Sequence, residues 1–125
     1  MSVADEILSR FQQKALADLS SGPDAFGGFV IFYFVEGSVS TTMKLLYTDG
    51  KPRFTRTKLS DDTSTLAGNY LDALSDGDVD ESAMVATYAV GTKTWNVRTY
   101  FGQDARHWFI NPGNVMARAE EVRPL

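Results

Sequence analysis

Apolar residues recur every three or four positions at the start of the chain: Val3, Ile7, Leu8, Phe11, Ala15, Leu16 and Leu19, with Gln12, Gln13, Lys14 and Asp18 between them. That period of 3.6 predicts an amphipathic helix over 3–19. Ser2 stands where an N-cap belongs and Asp5 where a capping box carries its partner. Ser20-Ser21-Gly22-Pro23 ends the helix, glycine tolerating a left-handed cap and proline refusing to continue. The pattern then changes. Residues 29–35 (Phe-Val-Ile-Phe-Tyr-Phe-Val) are β-branched and aromatic without a polar break, too few for a buried helix, and predict a central strand covered on both faces. Glu36-Gly37-Ser38 turns the chain into a strand over 39–48, and Asp49-Gly50 is a two-residue hairpin signal leading to a third strand over 53–59, with Pro52 at its start.

Ser60-Asp61-Asp62 supplies a second helix start, with negative charge against the helix dipole. Leu66, Tyr70, Leu71 and Leu74 mark the apolar face of a helix ending near Ser75. After a polar, acidic loop, 84–90 and 95–101 read as two strands joined through Gly91-Thr92-Lys93-Thr94. Residues 103–110 fit a strand or a loop equally. Asn111-Pro112 resembles an N-cap followed by proline at the first helical position, and Val115, Met116, Ala119 and Val122 form a short stripe behind it. The order α-β-β-β-α-β-β-α predicts a single α+β domain over 1–125: an antiparallel sheet of about five strands with helices packed mainly on one face.

Composition narrows the function classes. The 125 residues suit one core, and 43% hydrophobic against 22% charged is a globular balance. With no cysteine, thiol catalysis, disulfide frameworks and cysteine zinc sites are excluded. The start, Met1-Ser2-Val3-Ala4-Asp5-Glu6, is acidic where a secretory leader is basic, and no apolar run approaches the ~20 residues that span a bilayer. The expectation is a soluble cytoplasmic protein. A net charge of −4 argues against a general nucleic-acid binder.

Candidate chemistry is sparse. Asp76-Gly77-Asp78-Val79-Asp80-Glu81 alternates acids like the opening of a calcium loop, but Glu81 and Thr87 stand where that loop needs its glycine and its bidentate glutamate. Gly91-Thr92-Lys93-Thr94 ends like a phosphate loop, yet Thr92 and Thr87 replace its glycines and a strand follows. His107 is the only histidine; Asp104, three residues away, could orient it as a general base. Neither a metal nor a cofactor motif is present. Along 95–101, Trp95, Val97, Thr99 and Phe101 share one face while Asn96, Arg98 and Tyr100 share the other, where Arg98 and Tyr100 are residue types suited to anchoring a partner.

Charge is the most uneven property of the chain. Between 59 and 82 lie seven acids (Asp61, Asp62, Asp72, Asp76, Asp78, Asp80, Glu81) and no base, leaving +3 for the rest, with Lys44, Lys51, Arg53, Arg56 and Lys58 gathered around the second hairpin. An acidic segment of this kind is either a solvated face or a surface that steers a basic partner.

The element order, the early aromatic strand, the acidic middle and the segment Gly91-Thr92-Lys93-Thr94-Trp95-Asn96-Val97-Arg98-Thr99-Tyr100 resemble the YezG-like immunity proteins, in which a glycine-lysine-aromatic turn leads into a strand of alternating polar and aromatic residues. The resemblance implies a non-enzymatic antitoxin without a cofactor, binding a cognate toxin domain of basic surface. The alternative is a small-molecule-binding or enzymatic domain of nuclear-transport-factor-like form, its pocket drawn from Tyr33, Tyr88, Trp95, Asp104 and His107.

Overall fold

The structure, a computed structural model, describes residues 2–22, 25–75 and 80–123. Helix α1 (Val3–Ser20) opens as expected, Asp5 N–H donating to the Ser2 hydroxyl at 3.1 Å. Five strands follow the predicted order: β1 (Gly28–Glu36), β2 (Val39–Thr48), β3 (Lys51–Phe54), then helix α2 (Asp61–Ser75), then β4 (Glu81–Ala89) and β5 (Thr94–Phe101). They form one antiparallel sheet in the order β3-β2-β1-β4-β5. The aromatic run of β1 lies at its centre, flanked by long strands on both sides.

Both faces of β1 are covered. Phe29, Ile31 and Tyr33 point to the side on which α1 and α2 deliver Phe11, Ala15, Leu19, Ala67 and Leu71. Val30, Phe32 and Phe34 point to the other, where a 3-10 helix (Gly102–Trp108) and α3 (Val115–Glu121) bring Ala105, Trp108, Val115 and Ala119. The two long helices therefore share one face, and the short C-terminal elements close the opposite one. A strand wetted on neither side has no polar alternation to keep, which is why β1 carries none.

Several boundaries differ from the sequence reading. β3 ends at Phe54 rather than continuing to 59, because the chain leaves the sheet there and carries Ser60 to Asp18 at the end of α1. Gly22 does not take a left-handed conformation; its missing Cβ instead makes room for the Thr57 hydroxyl. Residues 102–108 are neither strand nor loop but 3-10 helix. Asn111-Pro112 does not open α3: the Asn111 side chain accepts from Gly113 N–H (2.8 Å) and Asn114 N–H (3.0 Å), holding a turn that precedes a helix beginning at Val115. Leu74 and Met116, assigned to buried stripes, are 43% and 37% exposed. The Asp49-Gly50 turn is as expected, with φ of 53° and 76°, the pairing of positive angles that a two-residue hairpin favours.

Candidate partner-binding surface

Helix α2 is fastened at its start by a residue 42 positions earlier. Asp18 Oδ2 accepts from Ser60 N–H (2.9 Å), Ser60 Oγ–H (3.0 Å) and Thr63 Oγ–H (2.6 Å), and Thr63 is 1% exposed. Burial by itself pushes the Asp18 carboxyl up, but the hydrogen bonds from Thr63 and Ser60, with Lys14 nearby, outweigh it and hold the group below its ordinary value. Asp18 thus acts as the N-terminal anchor of α2 from another helix.

With the buried side of α2 set by Thr63, Ala67 and Leu71, the opposite side is fixed. At about 100° per residue, positions 61, 62, 65, 69 and 72 fall within one arc of the helix. Asp61, Asp62, Thr65, Asn69 and Asp72 are all exposed. Among the described residues none of these three acids has an ion-pair partner within 4.0 Å. Asp62 borders an open depression of about 540 Å³ between α1 and α2, which Arg10, Gln13 and Lys14 also line. The acidic stripe is therefore fringed on one side by α1 cations.

The remaining acids of the segment fare differently. Asp76 and Asp78 lie outside the described residues. Asp80 is exposed, and its carbonyl accepts from Gly37 N–H at 2.9 Å, tying the end of the acidic segment to the β1–β2 turn. Glu81 is not in a loop; it begins β4 and takes both arms of Arg106, at 2.6 and 2.8 Å. The Arg106 guanidinium holds its carboxyl below the usual range. Its charge is already answered within the chain.

Arg98 and Tyr100 share a face of β5, as the alternation required, but not a fate. Tyr100 stacks on Trp108, ring centroids 5.4 Å apart, and packs half-buried against the core beneath the 3-10 helix. Arg98 is exposed and has no ion-pair partner among the described residues.

The five residues of the pocket reading are not brought together. Tyr33, Tyr88 and Trp95 lie in or against the core under α1 and α2, Trp95 within 5.0 to 6.3 Å of the rings of Tyr88, Phe29 and Phe11. Asp104 and His107 belong to the 3-10 helix on the other side of the sheet. His107 Nε2 meets Glu121 Oε1 at 3.0 Å, while Arg118 reaches the same carboxylate at 2.9 Å and donates to the His107 carbonyl. This histidine ties the 3-10 helix to α3. Among the described residues no group of three metal-ligating side chains converges, and no helix is long and apolar enough to cross a membrane.

Sequence reasoning missed the long-range pairs of Asp18 with Thr63, Arg106 with Glu81 and Glu121 with His107, which are 45, 25 and 14 positions apart. No local signal marks such pairs. Comparison with known protein families and with curated proteins finds no match to this chain.

Proposed function

We propose that this chain is a non-enzymatic immunity protein that binds a cognate toxin domain of basic surface and blocks it, using the outer face of α2 as its contact. The observation that carries the reading is the stripe of Asp61, Asp62 and Asp72, exposed together and without ion-pair partners among the described residues. Unanswered acids on a rigid helix steer a cationic partner and raise its association rate more than its affinity. The resemblance to YezG-like proteins supports the same class of function.

Co-expression with toxin domains from the genomic neighbourhood tests it. The expected result is co-purification with one of them and rescue of growth. Replacing Asp61 and Asp72 by asparagine is expected to slow association about tenfold at low salt and to flatten its salt dependence. Failure to retain or neutralise any such domain would sink the reading.

A further inference from the structure

The two edges of the sheet are built differently. β3 is short and guarded: four residues, with Lys51 and Arg53 on it and Pro52 opposite Tyr47. Charge, brevity and proline are the usual means by which an edge is kept from pairing with another chain. β5 has eight residues and no proline.

The direction of its backbone groups follows from the ladder. Val90 N–H donates to the Gly27 carbonyl at 2.9 Å, which places the even positions of β4 against β1 and the odd positions against β5. With Val85 opposite Arg98 and Thr87 opposite Asn96, the even positions of β5 bond inward. Trp95, Val97, Thr99 and Phe101 therefore aim N–H and C=O away from the sheet. Among the described residues no hydrogen bond from a turn, loop or cap reaches Trp95, Val97 or Thr99; Phe101 is the N-cap of the 3-10 helix, whose first turn takes its carbonyl.

Side chains add a second, independent specification. On one face the edge shows the partly exposed flanks of Trp95, Val97 and Phe101, packed against the core beneath α1. On the other, Asn96 and Arg98 border a groove of about 140 Å³ that reaches Arg123 at the end of α3. Glu121, the one acid lining it among the described residues, is occupied by His107 and Arg118. A strand laid beside β5 would set its residues opposite these in alternation. Apolar side chains would meet Trp95, Val97 and Phe101, and acidic ones would meet Arg98.

We infer that the outer edge of β5 is a docking site for an extended segment of a partner protein that alternates apolar and acidic residues and joins the sheet as a sixth strand. Main-chain hydrogen bonds supply the attachment and Arg98 supplies the selection for acid. This surface is separate from the outer face of α2, and its test does not depend on a toxin. Two copies of β5 make a poorer pair, because their Arg98 side chains would be brought close together.

The test uses the full chain, labelled with nitrogen-15, and an acetylated, amidated peptide alternating valine and glutamate over the eight-residue length of β5. Peptide is added to about 1 mM, where a Kd of that order is still measurable. Amide shifts confined to β5 and β4 are expected, with binding at least about threefold weaker when lysine replaces glutamate. Arg98→Glu, an exposed change that leaves the core intact, should reverse that preference. Thr99→Pro removes one outward N–H without touching the β4 ladder and should abolish the shifts in a chain whose other resonances show it folded. The inference is overturned by absence of shifts, by shifts centred on β2 or α2, or by equal binding of both peptides. It is equally overturned if β5 shifts appear with protein concentration alone, which would assign the edge to a second copy.

Discussion

Replacing Asp18 by asparagine isolates the charge that anchors α2. The carboxylate accepts three hydrogen bonds at 2.6 to 3.0 Å, from one backbone N–H and two hydroxyls. Asparagine keeps an acceptor of the same shape and loses the charge. Hydrogen bonds to an ionised acceptor are each worth roughly 0.5–1 kcal/mol more than neutral ones, and part of that is returned because no charge is then taken from water. The net expectation is a loss of about 1–2 kcal/mol at pH 7, or a Tm lower by roughly 4–8 °C for a domain of this size. The pH dependence carries the sharper test. Asp18 lies below its ordinary value of 3.8 in the folded protein, so the stability it confers is complete above that value. It is lost as pH falls through the lower, folded-state value. Urea midpoints of the wild type and the Asp18→Asn variant should therefore differ by a constant amount from neutral pH to about pH 5 and converge towards pH 3. A gap that stays constant down to pH 3 would show that shape rather than charge holds Ser60 and Thr63. Equal stability at pH 7 would remove Asp18 as the anchor of α2 altogether.

Other positions yield equally direct expectations. Tyr47 is 3% exposed and its hydroxyl donates to the Ala119 carbonyl at 2.6 Å, clamping α3 to the sheet; Tyr47→Phe should cost about 1–2 kcal/mol by urea denaturation and speed amide exchange in α3 before the rest of the domain. In α2, a Cβ at Gly68 would stand 2.7 Å from the Tyr33 hydroxyl, so Gly68→Ala should destabilise by about 1–3 kcal/mol despite alanine's better helix propensity. Adding Tyr33→Phe should recover most of that loss in a double-mutant cycle, and independent, additive losses would refute the contact. Phe32, 1% exposed and stacked on Trp108 at 6.3 Å, should cost about 3–5 kcal/mol as alanine, read from the urea midpoint, with the near-ultraviolet signal of Trp108 reduced in the native baseline.

Hydropathy period and turn chemistry alone determined the element order, the antiparallel α+β class and the central position of the aromatic strand, because these depend on residues a few positions apart. The capping of α1 by Ser2 and the Asp49-Gly50 turn were legible for the same reason. So was the exposure of Asp61 and Asp72, since the period that buries Ala67 and Leu71 turns those acids outward. Tertiary structure decided what the acids and aromatics have left to offer. A linear charge count treats Glu81 and Asp72 alike, yet Arg106, 25 positions on, binds Glu81 and nothing comparable among the described residues binds Asp72. Alternation along β5 placed Arg98 and Tyr100 together on one face, but only the docking of Trp108 half-buried Tyr100 against the core. The open edge of β5 was beyond the sequence for a related reason: which strand lies outermost is a property of the pairing order. Local interactions choose the elements, whereas contacts between distant segments choose which surfaces remain free.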